Sequence, residues 1–301
     1  MTTFFIITST EDKASMNMRE ILLNDTLLKF EQIEQQWHGH ALHQLEMVLA
    51  KKDWGPFFSK NQIYMGLTDD PLIFLNDLKL SSLSFRPDFL LFASRHTSAA
   101  AKPAFLIHST GNWTDDVKFG GNPNQLSKTS AFLLRSGYLT LSRQKHIKNI
   151  EKFSLDMEVT HHGPTSLEIP LIYMELGSSK KEWGMKDPGR VVAHSLIETC
   201  MEYAEMIEKP LPKVGVGFGG THYAPQFQKL LNQKHIAMSF ICPKYYIQSL
   251  DLKLIEQMIQ NTYEPVDYFI IDWKGTNSDD KAHLLPLLEE FDIPIKKRKE
   301  F

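Results

Sequence analysis

Residues 214–231 read VGVGFGGTHYAPQFQKLL: a continuous apolar run, a glycine-rich turn and a stretch of helical period. Continuous apolar runs predict strands that are buried on both faces, as in a sheet covered by helices. Because this succession recurs, we expect an α/β fold with a layered, mixed and mostly parallel sheet, parallel above all in its C-terminal half, and helices on both faces. The predicted strands are residues 4–7, 89–93, 104–107, 155–159, 171–176, 214–218, 237–241 and 268–271. The predicted helices are residues 188–207, 225–231, 250–260 and 279–291, and no periodicity is evident in residues 29–83.

The bulk composition is that of an ordinary globular protein. A chain of 301 residues, 42% hydrophobic and 23% charged, can bury a sizeable core. We expect one catalytic domain over residues 1–301, with residues 1–85 as a candidate distinct subregion. No run reaches the ~18 apolar residues of a membrane-spanning helix, so we expect no membrane partner. Two scattered cysteines, Cys200 and Cys242, and the lack of a signal peptide favour the cytoplasm.

Polar and histidine-bearing loops follow five of the predicted strands. Open α/β sheets bind ligands beyond the carboxyl ends of their strands, so these loops are the expected site. Histidines and a carboxylate at strand ends are the ligand types of a zinc-like ion. Any one of the 12 histidines, taken alone, is more commonly a hydrogen-bonded structural residue, and the shared placement is the stronger signal. The loops are residues 94–98, 108–113, 160–165, 175–179 and 219–223.

Strand geometry limits which of these side chains can meet. His161 and His162 are adjacent, so in an extended chain only one of them can enter a given site, unless the following Gly-Pro bends the chain. About five residues join the strands before His96 and His108, which predicts an antiparallel hairpin. In such a hairpin the two histidines lie roughly 16 Å apart and cannot share an ion.

Three other patterns carry weaker predictions. Residues 215–220 contain GxGxxG, but no acidic residue follows at the spacing that a dinucleotide site needs, so we interpret these glycines as allowing close backbone approach. His38, His40 and His43 are expected at the solvated surface. The net charge of −3 predicts no generally basic surface, and we expect no DNA partner. A local phosphate-contacting surface, or else a solvated helix face, is predicted from Lys118, Lys128, Arg135, Arg143, Lys145, Lys148, Lys152 and the tail residues 296–299.

The histidine-bearing phrases closely resemble those of the archaeal and plant-type D-aminoacyl-tRNA deacylases. They stand in the family's order from near the N-terminus to the last strand. Two departures are an apparent insertion over residues 41–59 and a less polar loop at residues 97–101. The matching phrases are DKAS (12–15), SRH (94–96), HSTGNW (108–113), THHGPT (160–165), ELGS (175–178), GGTHYAP (219–225) and DWKG (272–275).

The resemblance implies a zinc enzyme that hydrolyses the ester joining a D-amino acid to the terminal ribose of tRNA. It also implies an α/β fold similar to those of peptidyl-tRNA hydrolases and nucleoside phosphorylases. The partner is then a tRNA carrying a D-amino acid, and the cofactor one or two Zn²⁺ ions. Two alternatives stay open, a metal-free esterase and a phosphorylase-like protein that binds nucleoside and phosphate.

The mechanistic hypothesis assigns each loop a role. Zinc would be held by His161, Glu175 and His222, with His96 as a further or second-ion ligand. The ion would activate a water. His162 would be the general base or the leaving-group acid. The oxyanion or the α-amino group would contact Thr110, Gly111 and Asn112, and Thr221 is a further catalytic candidate. The substrate-binding candidates are Asp12, Lys13, Ser94, Arg95, Gly219, Gly220 and Tyr223.

Overall fold

The computed structural model describes residues 1–49, 54–232 and 236–301, which form two sheets flanked by helices. The larger sheet consists of β1 (Thr2–Ser9), β2 (Leu28–Trp37), β3 (His40–Val48), β4 (Asn61–Thr68), β5 (Phe89–Arg95), β6 (Ala104–His108), β7 (Ser154–Met157) and β8 (Leu171–Gly177). The smaller sheet consists of β9 (Lys213–Phe218), β10 (Ile236–Cys242), β11 (Tyr268–Ile271) and β12 (Ile295–Lys297). The helices are α1 (Lys13–Leu23), α2 (Gly55–Phe58), α3 (Ala131–Ile147), α4 (Lys180–Trp183), α5 (Lys186–Met206), α6 (Pro225–Leu231), α7 (Leu252–Gln260) and α8 (Ser278–Glu289). Short 3₁₀ turns cover Leu72–Phe74, Leu80–Ser82, Lys244–Ser249 and Arg298–Glu300.

The strand order confirms the predicted fold class. The larger sheet runs β2-β3-β4-β1-β5-β8-β6-β7, and the smaller sheet runs β10-β9-β11-β12. Strands β4, β1, β5 and β8 are parallel, β6 and β7 are antiparallel to them, and β2 and β3 form an antiparallel hairpin beside β4. The smaller sheet is parallel throughout, as its continuous apolar runs predict.

The predicted hairpin between β5 and β6 is wrong. Strand β8 lies between them, parallel to β5 and antiparallel to β6. A short connection fixes the relative direction of two strands but not whether a later strand inserts between them. The insertion places Glu175 of β8 between His96 and His108, which the hairpin had kept roughly 16 Å apart.

Helices and turns cover the sheets unequally. Helices α1, α3 and α5 pack on one face of the larger sheet, and the opposite face is covered by the 3₁₀ turns of residues 72–82 and by loops. The smaller sheet has α6 on one face and α7 and α8 on the other. Residues alternate along a strand, so the face that buries Phe92 and Tyr173 also carries Ser94 and Glu175. The candidate site lies on this face, where turns and loops rather than helices cover the sheet and leave room for a cavity.

The missed elements are those with no apolar periodicity. Strand β2 alternates half-buried and exposed positions, so it lacks the continuous run of the central strands. Helix α3 is buried along most of its length, which removes the polar face that a helical period needs. The apparent insertion over residues 41–59 contains most of β3 and all of α2, and residues 50–53 lie outside the described part of the chain.

Candidate active site

A cavity of about 720 Å³ opens on the helix-free face of the larger sheet. Its volume falls in the range of small-ligand pockets. The histidine-bearing loops meet here as predicted, although their strands belong to two different sheets. Seven of the predicted catalytic or ligand residues line it: His96, Gly111, Asn112, His161, His162, Glu175 and His222.

Glu175 is the buried centre of one half of the site, with 3% of its surface exposed. Its Oε2 lies 3.2 Å from Nδ1 of His96, and its Oε1 lies 3.7 Å from Nε2 of His108. Burial raises the pKa of the Glu175 carboxyl, but the two histidines outweigh burial and hold that pKa well below its usual range. His108 therefore belongs to the site, contrary to the separation that the hairpin implied.

Glu158, which the sequence reasoning missed, is the centre of the other half. It is 1% exposed and follows β7. Its Oε1 lies 2.9 Å from Nε2 of His222, and its Oε2 lies 3.6 Å from Nδ1 of His96. The available signal was a pair of carboxylates, Asp156 and Glu158, within the predicted strand of residues 155–159, because a buried carboxylate requires a compensating positive charge.

Several buried ligand atoms of the site lack any hydrogen-bond partner in the described structure. They are Nε2 of His96, Nε2 of His108 and both carboxylate oxygens of Glu158, since the 2.9 Å contact of Oε1 with His222 lacks hydrogen-bond geometry. Buried polar atoms are nearly always satisfied, so these four indicate a group that fills the space between them. Two nearby buried carboxylates and imidazole nitrogens are the donor set of a divalent cation such as Zn²⁺. The residues therefore fit the metal that the resemblance implied.

Three overlapping groups in the described chain have ligand atoms within 4.8 Å of one another. They are His108, His161 and His162; Glu158, His161 and His222; and His96, Glu158 and Glu175. The hypothesis of one ion held by His161, Glu175 and His222 stays a prediction, and none of the three groups combines these residues. Glu158 lies beside His161 and His222, and Glu175 groups with His96 and Glu158.

Backbone carbonyls orient the imidazole rings. Nδ1 of His161 donates to the Val159 carbonyl at 2.8 Å, and Nδ1 of His162 donates to the Gly163 carbonyl at 2.7 Å. Nδ1 of His108 lies 3.0 Å from the Ser109 carbonyl in the same way. A carbonyl only accepts, so a proton sits on each Nδ1, and Nε2 of His161 and of His162 keeps a free lone pair, the arrangement found in metal-bound histidines.

The prediction that only one of His161 and His162 enters the site is wrong. His162 has a left-handed backbone with φ of 45°, which turns both rings to the same side. Their centroids lie 4.3 Å and 4.9 Å from that of His108. Burial first, and then the neighbouring His108, lower the pKa of His162 to about 4 and that of His161 well below its ordinary value. Both rings are therefore neutral near pH 7.

The sequence model of the D-aminoacyl-tRNA deacylase family matches residues 83–296, a span that includes every residue of both halves of the site. The chain belongs to the D-aminoacyl-tRNA deacylase family. A relative of that name from Methanocaldococcus jannaschii is 36% identical over 227 residues, covering 72% of this chain and 86% of the relative. Another from Thermococcus onnurineus is 30% identical over 291 residues, covering 96% and 97%.

The fold is also similar to a solved structure. The crystal structure of a conserved protein of unknown function, AF0625, superposes with a TM-score of 0.80 at 26% identity. The superposition covers 99% of this chain and 96% of the AF0625 chain. The two-sheet architecture therefore occurs in an experimental structure over the whole length.

In this deacylase-family chain, the predicted oxyanion donors serve the loops instead. Thr110 Oγ1 donates to the Pro164 carbonyl at 2.6 Å, and the Gly111 amide donates to the His162 carbonyl at 2.8 Å. Asn112 Nδ2 donates to the carbonyls of Gly120 and Asn122 at 2.8 and 3.1 Å. These protons are directed at protein acceptors, so the groups hold the histidine loops in place. Thr221 is exposed and does not line the cavity.

Asp12, Ser94 and Arg95 line the cavity as candidate substrate-binding residues. The Asp12 carboxylate caps α1 by accepting from the amides of residues 14 and 15, and it also accepts from the Arg95 amide at 2.8 Å. The Arg95 guanidinium donates to the Glu11 carbonyl and lies over the Trp183 ring. Asp12 thus joins α1 to the end of β5, and its carboxylate is occupied by protein donors.

The remaining substrate-binding candidates lie outside the cavity lining: Lys13, Gly219, Gly220 and Tyr223. Lys13 donates to the Lys180 carbonyl at 3.3 Å, and the Tyr223 hydroxyl donates to Ser98 at 3.3 Å. Gly219 and Gly220 have positive φ and pack beside Asp272. Gly215 and Gly217 pack tightly under Ile270 and Phe227, so the close-approach interpretation of the GxGxxG run is confirmed.

The predicted basic surface over residues 118–152 is only partly free. Arg135 is buried and donates to the carbonyls of Leu231 and Ile236. Arg143 pairs with Glu198 and Glu202, and Lys128 pairs with Glu168.

The side chain of His38, expected at the surface, is buried beside Asp70. Among the described helices, none has the length and apolar character to span a membrane.

Proposed function

We propose that this chain hydrolyses the ester bond between a D-amino acid and the 3′-terminal ribose of tRNA, with Zn²⁺ as its cofactor. The observation that carries the proposal is the cluster of five imidazoles and two buried carboxylates at one cavity. Four ligand atoms of this cluster lack hydrogen-bond partners in the described structure, which supports a ligand site rather than a purely structural network. The family name of the relatives supplies the reaction.

Two adjacent groups of residues support one or two ions. His161, His222 and Glu158 form the group nearest the loop after β9, and His96, Glu158 and Glu175 form the group on β5 and β8. Zn²⁺ held by these residues would supply a water of lowered pKa and would polarise the ester carbonyl. Glu158 belongs to both groups, so it would be a ligand of an ion held in either one.

His162 is the proton-transfer residue in this proposal. Its Nδ1–H donates to the Gly163 carbonyl, which leaves Nε2 as the only proton acceptor of the ring. With a pKa of about 4, a result of burial and of His108, the ring is neutral near pH 7. Nε2 can then take a proton from the attacking water and deliver it to the departing ribose oxygen.

His222 is oriented from outside the cluster. Its Nδ1 lies 3.2 Å from the Tyr245 hydroxyl, while its Nε2 faces Glu158. Tyr245 is on the Lys244–Ser249 turn and lines the cavity. The hydroxyl thus positions the ring for ligation and is not required to touch the reacting atoms.

The decisive experiment is release of tyrosine from D-tyrosyl-tRNA and L-tyrosyl-tRNA. We expect release of the D-enantiomer only, loss of activity on removal of metal, and recovery with Zn²⁺. Equal release of both enantiomers, or none, would overturn the proposal, and full activity in chelator would support a metal-free esterase. His162→Gln should abolish release, whereas the exposed His146→Gln should not.

The phosphorylase-like alternative has less support from the glycine-rich loop. Gly219 and Gly220 face the carboxylate and carbonyl of Asp272 rather than the cavity. A carboxylate at this position disfavours phosphate.

A further inference from the structure

Two phenylalanines stand half exposed where the cavity meets solvent. Phe74 is 49% exposed and Phe119 is 59% exposed, and both line the cavity. They come from separate segments, the Leu72–Phe74 turn and the loop before α3. We call this pair the aromatic rim. Exposed aromatic side chains at a binding cavity mark a contact surface for a ligand with a flat apolar face.

The aromatic rim is fixed to the catalytic loops. A Cβ on Gly120 would lie 1.9 Å from the Ile73 carbonyl oxygen, so the two rim segments are in direct backbone contact. Gly163, next to His162, donates its amide to the Phe119 carbonyl at 3.1 Å. Asn112 donates to the Gly120 carbonyl at 2.8 Å. The backbone that carries the two rings is therefore held at a set position relative to His162.

We propose that the aromatic rim stacks on the terminal adenine base of the tRNA acceptor end. This inference rests on the proposed function. The ester bond must reach the histidine cluster, but a tRNA cannot enter a cavity of about 720 Å³. The nucleoside half of the substrate therefore lies on the solvent side, where Phe74 and Phe119 are exposed. Single-stranded ends of RNA are commonly held by stacking of unpaired bases on such rings.

The positive charge of Lys118 lies beside the aromatic rim and matches the phosphate of the nucleotide whose base would stack there. Nζ of Lys118 lies 5.4 Å from the centroid of the Phe119 ring. In the described part of the chain Lys118 forms no ion pair, unlike Lys128 and Arg143 from the same basic stretch. A free ammonium next to a stacked base can contact its phosphate. Apolar rings and an adjacent cation fit a nucleotide better than an amino-acid side chain.

Stacking can be measured without any ester. A short RNA ending in CC-2-aminopurine carries a fluorescent analogue of adenine whose emission falls when it stacks, and a fluorescein at its other end reports binding by anisotropy. We expect bound emission to fall with the native protein and with Phe119→Tyr. Bound emission should stay near that of the free RNA with the double variant Phe74→Ala/Phe119→Ala.

Tyr263→Ala is the matched control. Tyr263 is 60% exposed and packs on Phe89, at the opposite end of β5 from the cavity. This variant should quench like the native protein. Because both rim side chains are half exposed, the double variant should keep the native circular dichroism spectrum and melting temperature.

Kinetics separate a base contact from a general defect. For D-tyrosyl-tRNA, removal of the rim should raise KM about tenfold with kcat nearly unchanged, and D-tyrosine methyl ester, which has no base, should be hydrolysed as before. Equal losses on both esters, or a rim variant that changes amino-acid preference without changing quenching, would overturn the stacking proposal. Native protein that quenches 2-aminopurine but releases no tyrosine would instead refute the proposed function alone.

Discussion

Glu158 Oε1 and His222 Nε2 lie 2.9 Å apart at the junction of the two sheets. The backbone beside them is joined in the same way, since the Val159 amide donates to the His222 carbonyl at 2.9 Å. The Thr160 amide donates to the Ile241 carbonyl at 3.0 Å, which adds β10 to the same junction. The active-site cluster is thus part of the contact between the sheets.

Glu158→Gln should lose both bound metal and activity. The amide has no charge and offers only one acceptor oxygen, so both ligand groups that share Glu158 are weakened. We expect at least a 100-fold fall in kcat/KM, together with a lower zinc content by elemental analysis.

The matched control for this variant is Asp156→Asn. Asp156 lies two residues earlier and accepts from the Ser154 hydroxyl at 2.6 Å, outside the three ligand groups. It should retain zinc and activity. An active, zinc-replete Glu158→Gln protein would contradict the role given to Glu158.

In the metal-free protein, the contribution of His162 to stability should be lost as the pH falls from about 6.5 towards 4. Burial and His108 lower the pKa of His162 from its ordinary 6.5 to about 4. Between these values the unfolded chain binds a proton at His162 that the folded chain does not, so the free energy of unfolding decreases with falling pH. His96 and His108 have raised pKa values and act in the opposite direction, so the residue must be isolated by substitution.

Urea unfolding in chelator at pH 7, 6 and 5 tests this dependence. His162→Gln removes the titrating group, and its free energy of unfolding should fall less steeply with pH than that of the native protein. Parallel pH dependences for the two proteins would show that His162 titrates normally when folded.

Tyr245→Phe should lower kcat/KM by about tenfold, because the His222 ring loses the partner of its Nδ1. Part of the loss should be recovered at high zinc concentration, since the Tyr245 hydroxyl acts by orienting His222 as a zinc ligand. Tyr246→Phe is the control, as Tyr246 is the next residue and lines the same cavity. Equal effects of the two substitutions would indicate a general disturbance of the turn.

Glu264→Gln should destabilise the fold without altering the active site. The buried Glu264 carboxylate accepts from the Ser130 hydroxyl and from the amides of Ala131 and Phe132, so it caps α3 from a distant loop. The amide variant places a donor against these donors, at a cost of about 1–3 kcal/mol in the free energy of unfolding. Chemical denaturation would measure it, with the exposed Glu256→Gln as the near-neutral control. A near-neutral Glu264→Gln would refute the capping role.

Strand positions were predictable because buried parallel strands are continuous apolar runs, as in Val214 to Phe218. The histidine loops were predictable because polar residues end such strands. Strand order was not predictable, since the link between β5 and β6 has the same length whether or not β8 lies between them. Glu158 was hidden inside an apolar run, and the shared orientation of His161 and His162 depends on one left-handed residue.

The donors of Thr110, Gly111 and Asn112 show a further limit of sequence reasoning. Their residue types suit an oxyanion site, but a hydrogen bond has direction, and the partner of each donor is set by the surrounding loops. Only the folded chain reveals that these protons already have acceptors.

The insertion of β8 between β5 and β6 also sets the order in which the chain can fold. His96 and its partner Glu175 are separated by 79 residues, so β5 and β6 each present an unpaired edge until the ribosome has released β8. Such edges are templates for pairing with other chains. Nascent chains that stop before Leu171 should therefore aggregate, and the catalytic cluster should form late, together with closure of the sheet.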